Sequence, residues 1–364
     1  MSTFIQAIGT AVPQYVISQN EVLQFMLKAH QLKGEDRKNL EVLYRATGIQ
    51  TRYSVIKDYL QPDQNEFFPN NEELTPFPDT RQRQQKYRDE ALELSLTAAK
   101  KCLETIDPSK ITHLITVSCT GMYAPGLDID LVNHLRLSPE VKRTAINFMG
   151  CYAAFNAIKV ADAFCHSDKP VNALVVCTEL CTLHFQKDNT ENNFLANALF
   201  GDGSSALLLT NQKPATPSLE VSHFYSTLQT EGHEEMAWDI GNTGFEMKLS
   251  AYVPDFLKKG IDPMLNRLWE ESNQREFDYY ILHPGGKRIL QVLEEKLGIG
   301  ASENHFSRQV LKKFGNMSSA TILFVLEALW NSGAMKNDQY NVLGLAFGPG
   351  LTLESMILTI HSHE

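Results

Sequence analysis

The chain has 364 residues, 43% of them hydrophobic and 21% charged, enough apolar material for a sizeable core and unlike a disordered or fibrous polymer. Lys and Arg number 33 against 43 Asp and Glu, and the formal charge of -10 argues against an extended surface for nucleic-acid phosphates. No run of about 18 apolar residues occurs, and the start, MSTFIQAIGTAVPQ, has no charged stretch leading into a long apolar one, so a cytoplasmic protein without membrane association is expected.

In chain order, short aliphatic and β-branched runs alternate with longer helical patterns. Residues 60–85, LQPDQNEFFPNNEELTPFPDTRQRQQ, are rich in Pro, Asn and acidic residues without periodicity, and are expected to form a long ordered surface loop, available as a substrate lid. RDEALELSLTAAKKCLETI (88–106) reads as an amphipathic helix, and HLITVSC (113–119), ALVVCTE (173–179) and SALLLT (205–210) read as strands. Two prolines in NQKPATPSLE (211–220) interrupt the pattern and divide the chain into residues 1–215 and 216–364. Beyond them come DYYILH (278–283), NVLGLAF (341–347) and SMILTI (355–360) as strands, with a helix over SSATILFVLEALWNSG (318–333). The alternation is that of a layered α/β protein, and no internal repeat is visible in the residues.

Six cysteines (Cys102, Cys119, Cys151, Cys165, Cys177 and Cys181) show no C-x-x-C pairing, so neither disulfides nor structural zinc is expected, and Cys177 and Cys181 are read as packing. Cys151 stands apart. In FMGCYAAFNAIKVADAF (148–164) it heads a helix that is nearly apolar all round, broken only by Asn156, Lys159 and Asp162. Such a helix is buried, and its first turn offers unpaired N–H groups and a dipole that favour a thiolate. Packing is nevertheless the commoner use of a lone buried cysteine. Two further stretches bear on the choice. YYILHPGGKRIL (279–290) delivers His283 from a strand into a loop without bulky side chains, and KFGNMSSATILFVLE (313–327) sets Asn316 on a turn just before a helix. Each alone fits a structural role, whereas Cys, His and Asn together suit thioester chemistry: the imidazole lowers the thiol pKa and two N–H donors stabilise an enolate or oxyanion.

GNMSSAT (315–321), HPGGKRIL (283–290), ALFGDGSSALLL (198–209) and LAFGPGLTLE (345–354) resemble the motifs of the chalcone synthase-like family, the type III polyketide synthases, in the family's order and over essentially the whole chain. The resemblance implies the thiolase fold, two βαβαβαββ halves in a five-layered α-β-α-β-α core, with residues 1–215 carrying the nucleophile and 216–364 carrying His and Asn. It implies a homodimer in which Cys151 holds the starter and growing chain as a thioester, while His283 and Asn316 promote malonyl-CoA decarboxylation and stabilise the enolate. The substrates implied are malonyl-CoA and an acyl starter delivered by CoA or a carrier protein. No metal or organic cofactor is implied. The product expected is a small resorcinol- or naphthol-type aromatic, or a pyrone.

Residue by residue, Phe200 matches the family's gatekeeper between CoA tunnel and cavity, and Met247 replaces a second gatekeeper aromatic. His184 and Trp238 stand where plant members have small cavity residues, so the pocket is expected to be smaller or redirected. Ser318 keeps the serine beside Asn316, and Phe347, Gly348 and Pro349 are expected to shape the cavity floor. Cys119 resembles a second cavity cysteine of several bacterial members, with a core thiol as the equal alternative. Ala124 replaces a methionine that plant members send across their dimer interface. The basic CoA rim of plant members falls on Asn39, Val42 and Ala46, leaving Arg37, Lys38, Arg45 and Arg52 to supply charge. Two other functions share the fold: a chain-initiating β-ketoacyl-acyl carrier protein synthase, and a non-catalytic acyl-binding partner.

Overall fold

The computed structural model describes residues 2–60 and 64–362. The chain opens with β1 (Thr3–Ala11), then a ribbon of β2 (Tyr15–Ser18) and β3 (Thr51–Ser54) that brackets α1 (Gln19–Ala29) and α2 (Gly34–Ala46). Next come α3 (Thr80–Cys102), β4 (His113–Ser118), α4 (Leu127–Leu135), β5 (Lys142–Asn147), α5 (Ala153–Cys165), β6 (Asn172–Leu180), α6 (Glu191–Leu199) and β7 (Asp202–Thr210). The second half runs β8 (Ser218–Leu228), a hairpin of β9 (Met236–Gly241) and β10 (Gly244–Leu249), α7 (Val253–Ser272), β11 (Tyr279–Leu282), α8 (Lys287–Leu297), α9 (His305–Phe314), α10 (Thr321–Trp330), β12 (Asn341–Gly348) and β13 (Thr352–His361).

Nine strands lie in the order β11-β12-β13-β8-β1-β7-β6-β4-β5. The two halves meet where Thr3–Ile5 pair with Leu219–Val221, and on either side of that seam the pattern is the same. In each half the outer pairs are parallel and the inner ones antiparallel. Among the described residues the second half has no strand in the place of β5. The duplication is therefore topological, although the residues themselves carry no visible repeat.

The layers follow from period-two alternation along the strands. On β6, Leu174 and Val176 join the core under α1, α3 and α4, while Ala173, Val175 and Cys177 join the core that holds α5 and α10. The inner face of the second sheet, with Ile281, Val342 and Met356, covers that same helical pair, and its outer face packs on α7 and α8. Helix, sheet, helix pair, sheet, helix: α5 and α10 sit in the middle, which is why both are apolar nearly all round.

The expected loop of 60–85 is shorter than its composition suggests. Asp79 caps α3 by accepting from the Gln82 N–H while Gln82 reaches back to the Asp79 N–H, so TRQRQQ belongs to the helix. Residues 61–63 lie outside those described. The rest of the loop is anchored at a few points: Asp58 accepts from the N–H groups of Glu66, Phe67 and Phe68, and Phe68 is buried against Phe25, Tyr59 and Phe185. No helix among the described residues is long and apolar enough to cross a membrane.

Candidate active site

The parallel strands of both halves aim their carboxyl ends at one cavity, which encloses about 1070 Å³ counting its open mouth. Cys119 follows β4, Cys151 follows β5, Cys181 follows β6, His283 follows β11, and Phe347 closes β12. Asn316 arrives on the turn between α9 and α10. All three residues of the expected triad line this space.

Cys151 sits two residues ahead of α5. The turn that places it requires glycine at 150, where φ is +89° and a Cβ would stand 2.1 Å from Pro349 Cδ. Asn316 is held from three sides. Its Oδ1 accepts from the Ser318 N–H at 2.9 Å, which leaves Nδ2 directed at the Cys151 sulfur, 3.9 Å away, and at Gly285 O at 3.4 Å. Its backbone bridges to the Phe200 segment, donating to Leu199 O and accepting from the Gly201 N–H, both at 2.9 Å. His283 is fixed through its backbone, which donates to Leu345 O at 2.8 Å, and its ring meets Phe347 edge-on at 5.5 Å. Both ring nitrogens are buried without a partner.

The electrostatics differ from the sequence expectation. Burial pushes the Cys151 thiol up to about 12, against the pull of the Ser318 hydroxyl and the Asn316 amide, and burial alone takes His283 down to about 3. Desolvation penalises both charged forms, which favours a neutral thiol and a neutral imidazole over an imidazole-lowered thiolate.

Phe200, Met247, Ser318, Phe347, Pro349, Cys119, His184 and Trp238 also line the cavity. Gly348 stands behind the lining, where a Cβ would meet Tyr152 Cδ1 at 2.8 Å and the Cys151 backbone nitrogen at 3.2 Å. His184 and Trp238 form one hydrogen-bonded wall. Trp238 Nε1–H donates to Cys119 O at 2.7 Å. The Phe245 N–H donates to His184 Nδ1 at 2.9 Å, so Nε2 carries the proton it gives to Thr120 O at 2.7 Å. The imidazole stacks on Phe245 with ring centroids 4.2 Å apart, and Trp238 stands edge-on to it. The Cys119 sulfur accepts from the Gly150 N–H at 2.9 Å, tying this wall to the Cys151 turn.

The comparisons with known proteins agree with this geometry. The family descriptions "Chalcone and stilbene synthases, N-terminal domain" and "C-terminal domain" match residues 2–213 and 220–362. The chain belongs to the chalcone and stilbene synthase family. It is accordingly a type III polyketide synthase, an acyltransferase of thiolase fold. It is 29% identical to the alpha-pyrone synthesis polyketide synthase-like protein of Mycobacterium tuberculosis, over 98% of this chain and 91% of that one. It is 28% identical to probable polyketide synthase 1 of Dictyostelium discoideum, over 98% of this chain but only 11% of that much longer protein. The crystal structure of PKS-I from the brown alga Ectocarpus siliculosus superposes with a TM-score of 0.90, at 26% identity and 98% coverage of both chains.

Within this polyketide synthase, one cavity residue and one buried residue behind the lining escaped the sequence. Cys181, read as packing, lines the cavity because β6 ends one residue before it. Glu179 is a buried carboxyl that accepts from the Cys119 N–H at 2.9 Å, from Thr120 Oγ1 at 2.8 Å and from Ser319 Oγ, and burial raises its pKa. An acidic residue inside ALVVCTE, a strand buried on both faces, was the signal available.

The basic rim also needs revision. Asn39, Val42 and Ala46 are exposed on α2, as is Ala124 beyond β4. Arg37 pairs with Glu41 at 3.0 Å, Arg45 Nε donates to Glu41 O, and Arg52 is buried with Nη1 on Asn197 O and Phe200 O. Of the expected substitutes only Lys38 keeps its charge unengaged among the described residues. Lys287 and Arg288 are exposed at the start of α8, between the lining residues Gly285 and Ile289, and a Cβ on Gly48 would lie 3.4 Å from Lys287 Cδ.

Proposed function

We propose that the enzyme loads an acyl starter on Cys151, extends it repeatedly with malonyl-CoA by decarboxylative Claisen condensation, and cyclises the chain to a small resorcinol- or naphthol-type aromatic or a pyrone. The observation that carries this reading is the convergence of Cys151, His283 and Asn316 in one cavity, with both His283 nitrogens buried and without a protein partner. A neutral imidazole both accepts and donates. It takes the Cys151 proton as sulfur attacks the starter thioester, and the departing CoA sulfur takes that proton away. When malonyl-CoA follows, the amide of Asn316 and an N–H of His283 are the donors for the thioester oxygen on which charge builds as carbon dioxide leaves. The resulting carbanion attacks the Cys151 thioester carbonyl, so that the new C–C bond forms as the bond to Sγ breaks; the extended chain, now a CoA thioester, is passed back to Cys151 with release of CoA for the next round, and exclusion of water protects each thioester from hydrolysis. Neither a metal nor an organic cofactor enters this sequence.

Products of the purified enzyme, analysed by LC-MS with malonyl-CoA alone and with short, aromatic and long acyl-CoA starters, test the reading against Cys151→Ala. A Cys151-dependent aromatic or pyrone supports it. Turnover only with acyl carrier protein replaces it with the chain-initiating ketoacyl synthase, and acyl binding without turnover replaces it with a non-catalytic partner.

Lys287 and Arg288 are assigned to the CoA phosphates. Their double replacement by alanine should raise KM for malonyl-CoA about tenfold, two exposed ionic contacts' worth, and flatten its salt dependence with little change in kcat; an unchanged KM removes the assignment. A cytoplasmic homodimer is part of the same proposal. Light scattering should return twice the chain's 41.0 kDa, and a monomer would refute that assembly.

A further inference from the structure

The chain carries a net charge of -10, yet one stretch of its surface beside the cavity is cationic. On α2, Lys38, Val42 and Arg45 follow at i, i+4 and i+7, which puts them on one face, and all three are exposed. This helix lies on α6, whose Asn193, Ala196 and Asn197 line the cavity. Three residues past Arg45, Gly48 adjoins the Lys287 side chain, with Arg288 next on α8. The Gln50 N–H then donates to Lys312 O at 2.8 Å and the Thr51 hydroxyl to Lys313 O at 2.7 Å, so the exposed lysines at the end of α9 border the same segment.

Among the described residues no carboxylate lies within ion-pair distance of Lys38, Lys287, Arg288, Lys312 or Lys313, and Arg45 gives its Nε to a backbone carbonyl. The acids of α2 do not cancel them: Glu41 is held by Arg37 at 3.0 Å, and Glu35 and Asp36 lie in the first turn, at the end remote from Gly48. Apolar side chains stand beside these cations. Val42 is 56% exposed between Lys38 and Arg45. Val16, 48% exposed, lies directly across the β2–β3 ribbon from Tyr53, whose ring stacks at 5.6 Å on Phe314, the residue after Lys313. Apolar groups inside a polar rim make the pattern of a protein interface. The phosphates of a single CoA account for Lys287 and Arg288, which adjoin the cavity lining, but they need neither valine. Nor do they call for a stripe in which Lys38 and Arg45 are about 10 Å apart along α2.

We propose that this face docks an acyl carrier protein, an acidic helical protein that bears its acyl group as a phosphopantetheine thioester, and that Cys151 takes its starter from it while malonyl-CoA supplies the extender. The proposal rests on the polyketide synthase reading above and names the donor of its starter. An acidic helix laid along Lys38, Val42 and Arg45 meets cations on either side of an apolar contact, and the cationic face steers it there against the negative charge of the rest of the chain. The pantetheine arm then enters past Lys287 and Arg288, which hold its phosphate as they hold those of CoA. In the loading step the bond from the carbonyl carbon to the pantetheine sulfur breaks, the bond to Cys151 Sγ forms, and the thiol proton leaves on the carrier's pantetheine.

The test compares donors on the full chain. Acetyl, butyryl, hexanoyl and decanoyl groups are offered on a bacterial fatty-acid carrier protein and on CoA, loading of Cys151 is followed by intact mass, and malonyl-CoA is then added for product analysis. Raising salt from about 50 to about 300 mM should cut kcat/KM for the acyl carrier protein by about tenfold or more. Lys38→Glu with Lys313→Glu should do the same at low salt while changing kcat/KM for acyl-CoA by less than about twofold; Lys312→Ala with Lys313→Ala is the substitute if that pair melts early. Equal losses with both donors, or no loading from the carrier protein, overturn the docking, and condensation from acyl-CoA then leaves the polyketide synthase standing. Sedimentation with phosphatidylglycerol vesicles that the same variant abolishes, in place of carrier-protein loading, gives the face to a membrane and also overturns it. Carrier-protein loading that is followed by one condensation only keeps the docking and defeats the iterative reading.

Discussion

Gly150 admits no side chain, for two independent reasons: its φ of +89° lies in the left-handed region, and Pro349 Cδ occupies the space a Cβ would take. Left-handed backbone costs an ordinary residue about 1–2 kcal/mol before any clash is counted. Gly150→Ala is therefore expected to lower stability by more than about 2 kcal/mol and to displace Cys151, read as a depressed melting temperature with loss of acyl transfer. An unchanged melt would show that the 349 loop yields freely. One residue on, the thiol itself is testable. With its pKa pushed up to about 12, alkylation of Cys151 by iodoacetamide in the ligand-free enzyme should climb about tenfold per pH unit from 6 to 9. A plateau beginning below pH 8 would instead reveal a standing thiolate–imidazolium pair. Cys165, buried but raised only to about 11, is the internal reference.

At the level of elements, the β9–β10 hairpin is held over the cavity by hydrogen bonds into neighbouring segments, among them Trp238 to Cys119 O, the Phe245 N–H to His184, and the Thr80 hydroxyl's acceptance from the Gly244 N–H. Trp238→Phe keeps most of the bulk and removes the first of these. The loss expected is about 1 kcal/mol of stability plus the cost of an unpaired Cys119 carbonyl, with broader product size because the wall is no longer pinned. If the variant's products match the wild type in chain length and ratio, bulk alone sets the wall. The strands were legible as elements because buried alternation is local, so that HLITVSC, ALVVCTE and NVLGLAF fall within β4, β6 and β12 to within a residue or two. The start of α3 was not, since TRQRQQ lacks apolar periodicity and is made helical by the cap at Asp79.

For the molecule as a whole, burial of histidines couples folding to pH. His283 has a folded pKa of about 3 against an ordinary 6.5, so the unfolded chain binds the extra proton between those values. Its contribution is fully present above pH 6.5 and is lost as the pH falls, at about 1.4 kcal/mol per unit. His184 adds the same sign, while Asp202, raised to about 6, acts oppositely. The comparison that isolates His283 is with His283→Gln, which should gain on the wild type by about 1–2 kcal/mol in urea unfolding between pH 6.5 and pH 5; parallel curves would mean that His283 is hydrated in solution.

The residues alone determined the kind of chemistry, because a nucleophile after a glycine, a histidine at a strand end and an asparagine before a helix are local arrangements, and the family motifs around them are contiguous. They also determined the layering, through alternation along each strand. Tertiary structure decided the rest. Whether the thiol and imidazole are charged depends on desolvation by groups from both halves, which raises the one pKa and lowers the other and so favours the neutral forms. Cys181 joined the cavity, and Glu179 came to brace Cys119, Thr120 and Ser319 behind it, only when β4, β6 and the turn after Asn316 came together. The place of Ile17 in the cavity lining depends on a ribbon that joins residues more than thirty positions apart, Ile17 and Arg52. None of these separations is short enough for sequence order to record.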